Sequence, residues 1–132
     1  MSYSTARRDI EKRLQNNWAT TEVAYDNVDF DEPKQSDSWI RLRVFEDSSN
    51  RINIGKKGVH RQAGTIALEI YIPRNTGTKL IQDHADALAG LFRDAQFNGI
   101  TCREASLSIN GDFNGWYQGT LTIPFHWDGI YP

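Results

Sequence analysis

The stretch TIALEIYIPRNTGTKLIQDHADALAGLFRDAQF, residues 65–97, contains a strand, a turn and a helix in one continuous run. From Ile66 to Ile72 a large aliphatic residue stands at every second position, which is the period of a strand with one buried face. Pro73 ends the strand because its nitrogen has no hydrogen to donate to a neighbouring strand. The run therefore predicts a strand that turns through RNTGT directly into a helix.

The helix predicted over residues 79–97 has a wide apolar face. Roughly 18 residues give a length of about 27 Å, which is enough to cross a small sheet. Thr76 or Thr78 is the expected N-cap, and Asn98-Gly99 is the expected C-terminal stop. The residues of the apolar face are Leu80, Ile81, Ala85, Leu88, Leu91, Phe92 and Ala95.

Upstream, SWIRLRVF (residues 38–45) alternates in the same way and predicts another strand. The chain start predicts an amphipathic helix that Ser2 or Ser4 caps and that Asn16-Asn17 ends. A short strand is expected near Val23. In SWIRLRVF, one face holds Ile40, Leu42 and Val44, and the other holds Trp39, Arg41, Arg43 and Phe45. The apolar stripe of the first helix is Tyr3, Ala6, Ile10 and Leu14.

Downstream, ITCREASLSI (residues 100–109) and WYQGTLTIPFHW (residues 116–127) predict two more strands. The joint between them, NGDFNG, holds two Asn-Gly pairs, a strong hairpin signal. Pro124 indicates that the last strand ends, bulges or runs along an edge there.

These elements together predict an α+β fold. It consists of a mostly antiparallel sheet of four to five strands with two helices packed on one face. A length of 132 residues fits one domain, residues 1–132, with a core of modest size.

The charges nearly cancel over the whole chain, with 15 Lys and Arg, 17 Asp and Glu, and a formal net charge of −2. This balance argues against a free-standing nucleic-acid binder, which usually carries a large excess of basic residues. The cancellation hides two segments of opposite sign. The acidic segment, residues 22–37, holds six acids and one base, whereas the loop predicted over residues 46–63 holds four bases and two acids.

Two interpretations stay open for each charged segment. The acidic segment is a solvated loop or a contact surface. The basic loop is a flexible arm that orders against an acidic partner or nucleic-acid phosphates, or it is a solvated hairpin tip. The contact residues predicted on the two segments are Arg51, Lys56, Lys57, His60, Arg61, Asp29, Asp31 and Glu32.

Motifs for catalysis, cofactors and metals are weak. Cys102 stands alone, no G-x-S-x-G elbow surrounds a serine, and PRNTGTK lacks the glycine spacing of a phosphate loop. In the cluster DHAD, His84 points about 100° away from Asp83 on a helix, so we expect His84 to border the core and both aspartates to be solvated. We predict no catalytic residue, no cofactor and no metal; a small-molecule- or metal-binding α+β domain with Asp83, His84 and Asp86 as its site is the alternative from another class.

Membrane targeting is not expected either. The start MSYSTARRDIEKRLQNNW carries charges where a secretory signal needs an apolar run, and TIALEIYIP is too short to span a bilayer.

Several of these features together resemble the tail terminator, or tail completion, proteins of long-tailed phages, including the small lambda-like terminator. The resemblance covers nearly the whole chain: the N-terminal amphipathic helix, SWIRLRVF, the long Gly-rich loop, HRQAGTIALEIYIPRNTGTKLIQDHADALAGLFR and the ending GWYQGTLTIPFHW. In that family a strand after R-x-x-G leads through a Pro and a Gly turn into a helix of the form A-D-x-L-x-x-x-F. The matching positions are Arg61 and Gly64, Pro73 and Gly77, then Ala85-Asp86, Leu88 and Phe92.

The resemblance implies an assembly role without enzyme activity or cofactor. Such proteins form a homo-oligomeric ring, usually a hexamer, that caps the tail tube, stops its polymerisation and offers a joining surface to the head-neck connector protein. The tail tube protein is the other partner, DNA passes through the lumen only as cargo, and the expected location is the virion tail, with the host cytoplasm during assembly. Another head-tail connector or a tail tube subunit is the alternative.

A ring needs heterologous contacts, in which one patch meets a different patch on the next copy. The acidic segment and the basic loop are two unlike patches of this kind. In the other interpretation, the basic loop reaches the tube.

Overall fold

The computed structural model describes residues 2–55 and 58–131, with the backbone alone at residues 130 and 131. Two helices and seven strands lie in this part of the chain. In chain order they are α1 (Tyr3–Asn17), β1 (Glu22–Ala24), β2 (Trp39–Arg51), β3 (Gly58–Pro73), α2 (Lys79–Phe92), β4 (Gln96–Phe97), β5 (Ile100–Cys102), β6 (Ser106–Phe113) and β7 (Trp116–Tyr131).

The predicted α+β class is confirmed, but the predicted count of four to five strands is too low. The seven strands form one sheet in the order β1-β2-β3-β7-β5-β4, and β6 pairs with β7 beside β5. The sheet is mixed, because β1 runs parallel to β2 while the other pairs are antiparallel.

The predicted loop over residues 46–63 is wrong for most of its length. β2 continues to Arg51 and β3 begins at Gly58, so these residues form the outer part of one long hairpin with a bulge between Glu46 and Ser48. Residues 46–51 are all exposed. An exposed strand needs no apolar alternation, and its backbone pairing therefore leaves no pattern in the sequence.

The predicted end of the second helix is also wrong. α2 ends at Phe92, and residues 96–97 pair with residues 100–101 as a two-residue hairpin. Asn98 and Gly99 both have positive φ, 47° and 83°, as a type I′ hairpin turn requires. Asn98-Gly99 is thus a hairpin turn and not a helix stop.

The helix starts follow the predicted positions. Ser2 is the N-cap of α1 and accepts a hydrogen bond from the Thr5 backbone N–H, with the reciprocal bond of a capping box present. Thr78 is the N-cap residue of α2, but its side chain makes no capping bond.

The stretch predicted as one strand over residues 100–109 is two strands, β5 and β6, separated by residues 103–105. The hairpin turn lies at Asn114-Gly115, whereas Gly111 lies at a bulge within β6. The split arises because β5 and β6 pair with different parts of β7.

Pro124 lies inside β7, opposite Thr65 of β3. Its carbonyl accepts a hydrogen bond from the Arg103 N–H at 2.8 Å, on the side away from β3. The N–H and C=O of one residue in an antiparallel strand face the same side, so the missing N–H faces the gap between β5 and β6. Of the predicted alternatives, a local edge is the one observed.

The main core lies between the two helices and one face of the sheet. The predicted faces of both helices and of the aliphatic strands are confirmed except at Tyr3, which is 51% exposed, since α1, α2, β2, β3 and β7 contribute buried side chains to the same cluster. The fully buried large side chains include Ile10, Leu14, Ile40, Leu42, Ile66, Leu68, Ile70, Ile72, Ile81 and Phe92. In residues 2–55 and 58–131, no helix is long and apolar enough to cross a membrane.

Candidate assembly surface

The two charged segments lie at opposite ends of the β2–β3 hairpin. The acidic segment leads directly into Trp39, the first residue of β2, and Phe30 within it stacks on Trp39. We define the hairpin tip as residues 51–58, which join the far end of β2 to β3. At 3.2–3.4 Å per residue, the twelve steps from Trp39 to Arg51 span about 38–41 Å. The end of the acidic segment next to Trp39 therefore lies far from the tip, whereas Asp26 lies beside the middle of β2, because its partner Arg7 also donates to the Val44 carbonyl.

An aromatic cluster of Phe30, Trp39, Tyr71 and Trp116 anchors the acidic segment to the sheet face that carries no helix. The Trp39 ring stacks on Tyr71 with ring centroids 4.1 Å apart and planes 8° from parallel. Phe30 stacks on Trp39 at 5.1 Å, and Trp116 meets Trp39 edge-on at 6.0 Å. Burial raises the pKa of Tyr71 to about 12, so its phenol stays neutral at physiological pH.

Sequence patterns did not predict this cluster. Trp39 lies on the face of β2 that also carries Arg41 and Arg43, and Phe30 lies in a polar loop. A large aromatic residue such as Phe30 within an acidic loop is the signal that could have indicated a docking contact. The cluster holds the loop against the sheet and thus fixes where its carboxylates stand.

Most carboxylates of the acidic segment are not compensated. Asp26 pairs with Arg7 at 3.0 Å. The predicted contact residues Asp29, Asp31 and Glu32 are exposed, and within the described residues none of them forms an ion pair. The segment therefore presents net negative charge to solvent.

The described part of the hairpin tip combines an internally bonded arginine with exposed isoleucines. The Arg51 Nε donates to the Asn53 carbonyl at 3.0 Å, and an Nη donates to the Gly55 carbonyl. Ile52 is 48% exposed and Ile54 is fully exposed. The predicted contact residues Lys56 and Lys57 lie outside the described residues.

The structure does not bring the predicted contact residues His60 and Arg61 to one face. They are successive residues of β3 and so point to opposite sides of the sheet. The Arg61 guanidinium donates two hydrogen bonds to the Asp128 carboxylate of β7, at 3.0 and 3.2 Å. This bidentate contact lowers the pKa of the Asp128 carboxyl. His60 and Arg61 therefore do not form one continuous basic surface, and the charge of Arg61 is already paired with Asp128.

His84 borders the core, as predicted, while Asp83 and Asp86 are exposed. Its ring meets Trp18 edge-on at 5.8 Å, and its Nε2 atom is buried with no hydrogen-bond partner in the described structure. Burial lowers the pKa of His84, and the charge of Asp83 offsets part of that effect.

A cavity of about 510 Å³, here called the His84 pocket, lies where α2 faces the acidic segment. α2 contributes His84 and Leu80, and the other lining residues come from residues 19–22 and 33–38. These are Ala19, Thr20, Thr21, Glu22, Pro33, Ser36, Asp37 and Ser38. Two of these lining residues, Glu22 and Asp37, carry carboxylates that form no ion pair within the described residues.

Nucleophilic and metal chemistry find little support in the described geometry. Burial raises the pKa of the Cys102 thiol to about 11, so the reactive thiolate is scarce near neutral pH. In the part of the chain that the structure describes, no three His, Cys, Asp or Glu side chains are grouped closely enough to hold a metal ion.

Comparison with known proteins decides the family. The sequence profile of the phage tail terminator protein family matches residues 7–124, which is most of the chain. The chain belongs to the phage tail terminator family. The resemblance noted in the sequence is thereby confirmed. Membership makes this terminator a structural protein of the virion tail that interacts with tail and head components.

The fold of the terminator also recurs in solved structures. One solved chain, described only by a sequence identifier, matches with a TM-score of 0.73 and 22% sequence identity, and the match covers 100% of this chain and 99% of the other. At this identity the match establishes the fold alone. No curated protein matches the chain significantly.

The stability of the terminator is expected to fall as the pH is lowered from about 7.5 to about 5.5. Burial lowers the pKa of both His84 and His126. In this pH range the unfolded chain therefore binds more protons than the folded chain does. Stability then rises with pH. Asp128 responds only near or below its ordinary pKa of about 3.9, outside this window. Urea unfolding at several pH values measures the dependence.

The matched variants are His84→Gln and His126→Gln, each of which should give a shallower pH dependence than the parent chain. The change in slope is the readout, whatever the variant does to stability at pH 7.5. Parallel curves for all three proteins would show that these imidazoles do not control the response.

Proposed function

We propose that this terminator, with residues 1–132 acting as one domain, forms a homohexameric ring that caps the tail tube. The ring stops tube polymerisation and offers its other side to the head-neck connector protein. The observation that carries the proposal is the family match over residues 7–124, joined to the separation of opposite charges at the two ends of the β2–β3 hairpin.

The separation of charge supports a closed ring because a cyclic assembly uses heterologous contacts. The acidic segment of one copy would meet the hairpin tip of the next, and each copy would offer both surfaces once. The predicted contact residues on the two sides are Asp29, Asp31 and Glu32 on one copy and Arg51, Lys56, Lys57, His60 and Arg61 on the other. Since Arg61 is already bonded to Asp128, it contributes less than the lysines.

Charge and apolar burial would have different roles in this contact. An exposed ion pair contributes only about 0–1 kcal/mol, whereas full burial of an isoleucine side chain contributes about 1.5–3 kcal/mol. Ile52 and Ile54 would therefore supply most of the affinity of the tip. The charges would set the register and speed the encounter.

The rest of the proposed role follows from the cap. The terminator would act in the host cytoplasm during assembly and remain in the virion tail. DNA would pass through the lumen only as cargo, and no chemical step, cofactor or membrane would be involved.

The mass of the particle in solution, measured with and without tail tube protein, tests this proposal. We expect six copies of the 15.1 kDa chain to associate, alone or at the end of a tube. Electron microscopy should show a ring at one end of each tube and tubes of limited length. Filaments of the terminator alone would indicate a tube subunit instead. A monomer that never binds tube ends would contradict the proposal.

A further inference from the structure

We propose that Ile52 and Ile54, in the hairpin tip of one copy, pack on Phe30 and Phe113 of the next copy. We call Phe30 and Phe113 together the aromatic rim, because both border the aromatic cluster on the sheet face that carries no helix. This inference rests on the proposed ring and names the apolar part of its repeating contact.

The aromatic rim is apolar surface that the chain itself leaves open. Phe113 is 53% exposed, and its ring meets the Tyr71 ring with centroids 6.2 Å apart. Phe113 pairs with Trp116 of β7, and directly paired residues point to the same side of a sheet, so the Phe113 ring lies on the side of the cluster. Phe30 packs against the same cluster and is only partly buried. Exposed aromatic residues beside one another are typical of a protein contact surface.

The hairpin tip presents two isoleucines in a fixed position. Ile54 is fully exposed, and Ile52 is about half exposed. The Ile52 N–H donates to a carbonyl of β3 at 2.8 Å, which ties this part of the tip to the sheet. The Arg51 guanidinium donates to the carbonyls of Asn53 and Gly55 and so braces the segment that carries the isoleucines. A braced segment loses little conformational freedom on binding, so the gain from burying its isoleucines is largely kept.

The charges beside the two surfaces favour contact between them. Asp29 and Asp31 flank Phe30 in the sequence; both are exposed, and neither forms an ion pair within the described residues. Arg51 precedes Ile52, and the neutral carbonyls that it bonds do not cancel its charge. The tip contains no acidic residue. An acidic border around an aromatic surface attracts a basic border around an aliphatic one and sets the register of their contact.

The tip and the rim of one chain cannot meet. The aromatic cluster is built on Trp39, the first residue of β2, whereas the tip starts at Arg51, the last residue of that strand. The twelve steps between them span about 38–41 Å. The isoleucines that cover the rim therefore belong to another copy. Because each copy offers both surfaces once, the contact repeats from copy to copy, as a closed ring requires.

A second exposed aliphatic pair lies on β6 and lacks the flanking charge. Leu107 and Ile109 are 38% and 40% exposed. Their neighbours in the sequence, Ser106, Ser108 and Asn110, are uncharged. This pair is apolar and open but has no acidic border to favour a basic partner, so it provides the matched control for the rim.

Cysteine cross-linking between two co-expressed chains tests the contact. One chain carries Ile54→Cys and the other carries Phe113→Cys, and the purified protein is oxidised mildly, with and without tail tubes. The native Cys102 is buried, and burial raises its pKa to about 11, so it should not compete. In the control pair, Leu107→Cys replaces Phe113→Cys. Mass spectrometry identifies and quantifies the joined peptides.

We expect the cross-link between positions 54 and 113 to be at least about tenfold more abundant than the cross-link in the control pair. Phe113→Ser should weaken assembly at least about tenfold, because truncation of an aromatic anchor is among the costliest changes at an interface. Leu107→Ser should have little effect. Ile54→Ser should weaken assembly as Phe113→Ser does, and it lies at a fully exposed position where the fold does not depend on the side chain.

Equal cross-linking in the two pairs, or unchanged assembly of both Phe113→Ser and Ile54→Ser, would overturn the inference. Rings that still cap tubes in that event would leave the proposed cap intact. A Phe113→Ser protein that forms rings but no longer binds tube ends would assign the rim to the tube protein and would also overturn the inference. A specific cross-link in a protein that neither forms rings nor caps tubes would retain the contact and refute the cap.

Discussion

Replacing Gly64 with alanine is expected to lower the free energy of unfolding by about 3 kcal/mol, at the upper end of the usual cost of overpacking. Gly64 lies in β3 between Glu46 of β2 and Phe125 of β7. A Cβ atom there would overlap the backbone carbonyl oxygen of Phe45 and would approach the Phe125 ring to 2.7 Å. A backbone oxygen in a paired strand has little freedom to move away. The added Cβ atom would therefore disturb the pairing between β2 and β3.

Gly90→Ala is the matched control for this change. Gly90 is an exposed residue of α2, and an added Cβ meets no atom within 4 Å. Alanine favours a helix interior over glycine by about 1 kcal/mol, so this variant should be more stable than the parent chain. Urea unfolding followed by tryptophan fluorescence compares the two. A Gly64→Ala protein that unfolds at the parent midpoint would show that β2 and β7 do not approach β3 as closely as described.

Reversing the charge of the tip, with Lys56→Glu and Lys57→Glu, is expected to leave the fold intact and to weaken assembly by roughly 100-fold, or about 3 kcal/mol. The two new carboxylates would face Asp29, Asp31 and Glu32 of the next copy, and like charges placed together at an interface cost several kcal/mol. Circular dichroism checks the fold, and the yield of completed tails in a phage complementation assay measures assembly.

The reciprocal change gives the sharper test. Asp31→Lys with Glu32→Lys should also block assembly alone, and the combination of both charge reversals should restore part of it. Lys12→Glu with Arg93→Glu changes the net charge by the same amount as the tip variant and should have little effect, because Lys12 is exposed on α1 and Arg93 is exposed directly after α2. Tail completion that is normal in the tip variant, or a combination no better than either parent, would rule out direct contact between the segments.

The parts of the fold that the sequence predicted are those where burial imposes a period. The aliphatic residues from Ile66 to Ile72 and from Ile40 to Val44 had to share one face, and the stripe of α1 had to meet them. Hydrophobic burial is the dominant favourable term in folding, so its pattern is written into each element separately.

The failures have one physical cause. The outer part of the β2–β3 hairpin and the short strand β4 are held largely by backbone hydrogen bonds to their partner strands. Backbone groups are the same in every residue, so such pairing leaves no trace in side-chain pattern. The stop expected at Asn98-Gly99 failed for a related reason, because the same two residues suit a hairpin turn and a helix end.

The sequence by itself determined the class of fold, the identity of the core, the family resemblance and the presence of two segments of opposite charge. Only the tertiary structure decided that these segments stand at opposite ends of one hairpin, that Phe30 anchors the acidic segment on Trp39, and that Arg61 is already bonded to Asp128. It also decided that the acidic segment and α2 line one pocket, with His84 among its residues. Composition and order along the chain fix which groups exist, whereas their distances depend on how strands far apart in sequence pair.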